Sequence, residues 1–276
     1  MPPRLFSGKL FFTLFVGIVA LSSCKKDKDN DGPGKGTIPE KKIVKLYQDP
    51  QNFIEFFYNT EGKLSKINLA EEDAGSDVQT LEIFYGDNKR IANIYTQDGL
   101  RINYRYENDK LERTETQDSK GQIITMGSYF YENGNLTDYG LFGPFPLEDG
   151  QEGISYKRVQ ESKYSYNNDK SIRTITTNLL NPFTNRMEYA GRRVYERYDA
   201  KINPLKHLAD FSYGFFQELN PSNILKEVAY DDKGAVQETV ERTFTYDEYG
   251  YPLTCVEKTT EAGKGPVTKT LTFTYK

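Results

Sequence analysis

Residues 104–111 read Tyr-Arg-Tyr-Glu-Asn-Asp-Lys-Leu. An aromatic stretch ends in tyrosine, turn-forming residues follow, and an aliphatic residue restarts the chain. Asn and Asp tolerate the positive φ that a tight reversal demands, while the flanking residues suit strand positions, so the unit predicts a β-hairpin. Copies recur at 56–64 (FFYNTEGKL), 84–91 (FYGDNKRI), 129–136 (YFYENGNL), 164–172 (YSYNNDKSI), 230–236 (YDDKGAV) and 244–253 (FTYDEYGYPL), with a degenerate eighth at 196–205 (ERYDAKINPL). The tyrosines entering the turns are Tyr58, Tyr85, Tyr106, Tyr131, Tyr166, Tyr198, Tyr230 and Tyr246.

Outward from these units the side chains alternate with period two. Leu100, Ile102, Tyr104 and Tyr106 share one face against Arg101, Asn103 and Arg105, and Val267, Lys269, Leu271, Phe273 and Tyr275 oppose Thr268, Thr270, Thr272 and Thr274. Eight hairpins give an all-β chain, a long antiparallel meander of about 14–16 strands with one apolar face. So long a sheet, with one apolar face, must curl into a barrel or half-barrel or fold over on itself, and the barrel or half-barrel is the expected form. One amphipathic helix is expected near 205–219, where Leu205, Leu208, Phe215 and Leu219 recur at helical spacing between Asn203-Pro204 and Asn220-Pro221. Packing on the sheet is its expected role.

The start of the chain has a different character. Arg4 and Lys9 precede the uncharged run Leu10–Leu21, which is short for a membrane span but suits the core of a signal peptide. Leu21-Ser22-Ser23-Cys24 resembles the lipobox of bacterial lipoproteins, in which the cysteine sulfur receives a lipid after residues 1–23 are removed. The resemblance implies that Cys24 anchors the protein to a membrane. Residues 24–40 then form a solvated tether, rich in Lys, Asp and Gly and without apolar residues until Ile38. Its charges resemble the export tags of Bacteroidetes-type lipoproteins, implying an outer-membrane location, facing the periplasm or the exterior. Asp27, Asp29, Asp31 and Gly32 match the opening of a calcium loop, but the twelfth position is Ile38 rather than a bidentate acid, so no metal is expected there.

Composition narrows the chemistry of residues 41–276. Without residues 1–23 the chain keeps 34 basic and 40 acidic side chains, a net charge of −6, and offers no basic field for nucleic acid. Tyr (21) and Phe (17) are abundant, which suits strands, while His207 is the sole histidine, so neither a metal site nor a hydrolytic triad is expected. No phosphate-cradling glycine loop occurs, and no cofactor is expected. Cys255 lacks a partner apart from Cys24 and reads as a small buried hydrophobe. Glu71-Glu72-Asp73 is a carboxylate cluster in an expected loop. Leu141-Phe142-Gly143-Pro144-Phe145-Pro146-Leu147 is a proline-stiffened apolar segment expected between strands. It reads first as a cover over the barrel mouth, and alternatively as a contact surface through Leu141, Phe142, Phe145 and Leu147.

Two family resemblances rest on these residues. Tyr230-Asp231-Asp232-Lys233-Gly234, and more loosely Tyr58–Leu64, are similar to the YD repeats of shell-forming bacterial proteins. Over roughly 41–276 the chain resembles Bacteroidetes lipoproteins carrying a domain of unknown function with a porin-like antiparallel fold. That second resemblance rests on the lipobox, the tyrosine turns, Asn203-Pro204-Leu205 and the closing Tyr246-Asp247-Glu248-Tyr249-Gly250-Tyr251-Pro252. It implies a large sheet and no site residues. The polar faces of the strands argue against a membrane-spanning wall. The expected function is a lipid-anchored, non-catalytic envelope module that binds a protein, glycan or lipid or serves structurally. A glycan-active hydrolase using paired carboxylates and a lipid carrier are the alternatives.

Overall fold

The computed structural model describes residues 40–70, 78–146, 154–206 and 220–276. The first strands are short: β1 Ile43–Tyr47, β2 Phe53–Tyr58, β3 Leu64–Ala70, β4 Gln79–Tyr85, β5 Ile91–Thr96, β6 Arg101–Glu107 and β7 Lys110–Gln117. Most later ones are longer: β8 Ile123–Glu132, β9 Asn135–Pro146, β10 Ile154–Tyr166, β11 Ile172–Asn181, β12 Arg186–Tyr198, β13 Ile224–Tyr230, β14 Val236–Tyr246, β15 Pro252–Glu261 and β16 Val267–Tyr275. Each strand pairs antiparallel with its chain neighbours. β1 also pairs with β16, placing Leu46 opposite Phe273, so the sheet is a closed barrel of sixteen strands. Closure removes the sheet edges that a half-barrel would expose.

The turns follow from their residues. Asn108 and Asp109 (φ 45° and 65°) and Asn133 and Gly134 (φ 49° and 84°) form two-residue reversals with both central residues left-handed, as the twist of a hairpin favours. Longer turns are organised by the acidic or amide residue after the tyrosine. Asn59 Oδ1 accepts from the amides of Glu61 and Lys63, and Asp231 and Asp247 repeat the arrangement. The fourth position is left-handed, held by Gly62 (φ 75°) in one turn and by Lys89 and Lys170 in others.

Sixteen consecutive antiparallel strands put alternate turns at opposite poles. Seven of the eight repeat units turn at one pole, the pole where the chain also enters at Lys41 and where β16 ends. The eighth, 230–236, joins β13 to β14 at the opposite pole, so the eight units are not equivalent.

Inside, two apolar clusters lie below the first pole. One is largely aliphatic, with Ile43, Ile54, Ile67, Leu81, Ile94 and Ile102 from β1–β6 joined by Cys255 and Phe273. The other is tyrosine-rich, with Tyr129, Tyr164 and Tyr195 around Leu136, Ile172 and Ile175. Outside, the wall is charged at exposed mid-strand positions such as Glu82, Arg105, Lys163, Arg192, Glu241 and Lys258. A basic side chain facing lipid at the midplane costs about 2–4 kcal/mol, a cost that a lipid-facing wall would meet at such positions. Among the described residues no helix is long and apolar enough to cross a membrane. Most of the expected helix at 205–219 lies outside the described residues, as do Cys24, His207, Glu71-Glu72-Asp73 and Leu147. Leu205, which is described, packs on the aliphatic cluster.

Candidate functional site

Three regions of the barrel carry polar or exposed features that a filled core does not require: the tyrosine pole, an ionic chain inside, and the opposite pole.

At the tyrosine pole, strand pairs such as β2–β3 are joined by turns, whereas pairs such as β1–β2 are joined only at the far end. The tyrosine hydroxyls tie several of the latter pairs. Tyr58 donates to the Ile43 carbonyl (2.7 Å), Tyr85 to Leu64 (2.8 Å), Tyr166 to Leu136 (2.7 Å), Tyr275 to Pro252 (2.7 Å), and Tyr198 to Ile172. Burial pushes the Tyr58, Tyr166 and Tyr275 hydroxyls above their ordinary value, so they stay protonated and able to donate. Lys63, Arg90 and Lys110 place their cations about 5 Å from the ring centres of Tyr85, Tyr106 and Tyr131. The described ends of the β12–β13 connection are fastened at this pole. Buried Asn220 accepts from the Ile172 amide (2.7 Å), Asn203 Nδ2 donates to the Asn220 carbonyl (2.8 Å), and Leu205 reaches the aliphatic cluster.

Farther along the inner faces of β12–β16, charges alternate. Arg193 Nη1 bonds Glu238 Oε1 (3.1 Å) and pairs with Glu227 Oε2 (3.3 Å). Arg242 joins Glu227 and Glu257, both at 2.7 Å, and Lys269 completes the chain on Glu257 at 2.8 Å. Burial pushes Glu257 upward, but Arg242 and Lys269 outweigh it and hold its carboxyl below the ordinary range. For Glu238 burial wins over Arg193, and its carboxyl is raised. Cys255 lies against this chain, buried, its thiol pushed up to about 12 mainly by burial. Three anions meet three cations, so the carboxylates are charge-compensated. Strand alternation carries the signal for this chain, with Glu238, Val240, Arg242 and Phe244 sharing one face, but the partners depend on register.

The opposite pole is uneven because two hairpins outrun their neighbours. β9 leaves β8 after Phe142 opposite Met126, and β10 leaves β11 after Gln160 opposite Leu179. Beyond those points β9 and β10 pair with each other alone. Leu141, Phe142 and Phe145 are therefore strand residues rather than parts of a loop between strands. The prolines are tolerated because β8 does not pair with this part of β9, so the missing N–H at Pro144 breaks no ladder there. Leu141, Phe142 and Phe145 are half-buried, and the rings of Phe142 and Phe145 lie under Arg158 and Lys157 at 5.3 and 5.5 Å.

The second projecting hairpin is β11–β12. β13 pairs with β12 only from Arg192 onward, which leaves Arg186–Gly191 paired with β11 alone among the described residues. The departure is sharp because Gly191 (φ 147°) sits where a Cβ would lie 2.3 Å from the Tyr230 carbonyl oxygen. At the tip Phe183 is 96% exposed, with Leu179 and Tyr189 also exposed below it. The tip is braced. Asn181 Oδ1 accepts from the amides of Phe183 and Thr184, and Glu188 accepts from Asn181 Nδ2 and Thr184 Oγ1, both at 2.8 Å. Sequence reading missed Phe183, although an aromatic residue inside the turn Asn181-Pro182-Phe183-Thr184-Asn185 is its signature.

No family model matches the chain, and no curated protein does. Among solved structures, a porin-like protein from Bacteroides uniformis aligns over 85% of this chain and 96% of its own, at 16% identity and a TM-score of 0.50. A porin-like protein from Bacteroides vulgatus aligns over 85% and 99%, at 10% identity and a TM-score of 0.55. At such identities the likeness concerns the fold: the chain shares the closed antiparallel barrel of porin-like Bacteroides proteins.

Proposed function

We propose that this protein is a lipid-anchored, non-catalytic envelope module, tethered through Cys24 at its tyrosine pole, which presents the two projecting hairpins of the opposite pole to a protein partner. The observation that carries this reading is Phe183. A fully exposed phenylalanine on a turn braced by Asn181 and Glu188 serves nothing in the fold, and ordered aromatic anchors dominate interface energies. The lipobox and the entry of the chain at the tyrosine pole support the anchor and its end of the barrel. The charge-compensated carboxylates and the packed apolar clusters favour this reading over a hydrolase or a lipid carrier.

Two experiments test it. Cys24→Ala removes labelled fatty-acid incorporation, and continued incorporation refutes the anchor. Phe183→Ser, alone and with Phe142→Ser and Phe145→Ser, lowers retention of native envelope partners by the full chain while leaving Phe183→Ser at the wild-type melting temperature. Unchanged retention in all these variants refutes the contact surface.

A further inference from the structure

From the edge of the projecting ribbon that no described strand covers, we infer that β12 pairs antiparallel with β12 of a second copy, centred on Met187, joining two barrels head to head through the poles opposite the tyrosine turns. An uncovered strand edge offers a row of amide and carbonyl groups to another chain. Here the residues Arg186–Ala190 lie along such an edge, with β11 on one side and, among the described residues, no strand on the other.

Charge complementarity selects both partner and register. With Met187 opposite Met187 of the second copy, each Arg186 faces the other copy's Glu188, giving two opposite-charge cross-strand pairs. On the other face Met187, which sits opposite Leu180 across the ribbon, meets its own counterpart and continues an apolar strip with the exposed Tyr189. Moving the centre to Glu188 would instead set two carboxylates against each other. A two-fold axis makes each off-axis contact, such as Arg186 with Glu188, occur twice. Among the described residues β9 and β10 also have uncovered edges, but Pro144 interrupts the first and residues 154–159 of the second hold Lys157 and Arg158 with no acid to face them, while β1 and β16 close on one another.

The inference builds on the pole of the projecting hairpins being a contact surface and adds the occupant. The test uses the full chain purified from membranes in detergent, followed by sedimentation and by cross-linking. Wild type is expected to be a concentration-dependent dimer, and Met187→Cys to give a disulfide-linked dimer on mild oxidation, since opposed strand residues lie within disulfide reach. Arg186→Glu and Glu188→Arg should each weaken dimerisation at least tenfold. Mixing these two variants should restore it, because each then supplies the charge the other lacks. A wild-type monomer at every concentration overturns the inference, as does a dimer indifferent to Arg186→Glu, or a mixture that stays monomeric. A monomer that still loses partners with Phe183→Ser removes the second copy and leaves the contact-surface reading standing.

Discussion

The two poles are built from the same hairpins yet differ in what they do with their ends. At the tyrosine pole the strands end together, with hydroxyls such as those of Tyr58 and Tyr166 tying pairs that no turn joins and buried Asn203 bonded to Asn220. At the opposite pole β9–β10 and β11–β12 run past their neighbours, and a phenylalanine stands in water. Buried hydrogen bonds are concentrated at the first, and the proposed contacts at the second. Elements drawn from the weakly supported end of a molecule are those that can meet a partner.

Substitutions should separate the poles in order of cost. Arg242→Met, which takes from two buried carboxylates the cation they share and leaves three anions to two cations at the inner margin of the tyrosine half, is expected to cost about 3–5 kcal/mol by chemical denaturation. The acid side of the stability profile should report the same chain. Because Glu257 is held below the ordinary glutamate value of about 4.3, its contribution is fully present above that pH and is lost as pH falls through its lower folded value. Glu257→Gln should flatten that limb, and an unchanged acid limb would place the dependence elsewhere.

Ile94→Ala, at a position with no exposure in the aliphatic cluster, should cost about 2–5 kcal/mol. Asn220→Ala, which leaves the Ile172 amide without its acceptor, should cost about 1–3 kcal/mol, and Tyr166→Phe about 1 kcal/mol. Phe183→Ser should stay within about 0.5 kcal/mol of wild type. A large loss of stability there would erase the contrast between the poles.

Much of this contrast was hidden in the chain. The turns at Asn108-Asp109 and Asn133-Gly134 are legible because their chemistry is local, and the inward alternation of Leu271, Phe273 and Tyr275 agrees with the structure. Closure was not legible as against a half-barrel, since the pairing of Thr274 with Lys45 joins residues 229 apart and leaves no local mark. The prolines at 144 and 146 suggested a loop because their tolerance depends on where β8 stops. The repeat hid the poles as well, since YDDKG at 230–234 resembles the other units but turns at the opposite end. The ionic chain needed register, and Phe183 needed the length of β13.

The pairing of β1 with β16 has a kinetic consequence. Every other neighbouring pair is made by adjacent segments and can form as the chain emerges, whereas this seam must wait for the last strand. Until then five-residue β1 presents an open edge, and the aliphatic cluster lacks Phe273. The barrel should therefore assemble by zippering and lock late, and it should unlock first at the same seam. Amide hydrogen exchange is expected to release Leu46 and Phe273 ahead of Ile175, although all three are buried.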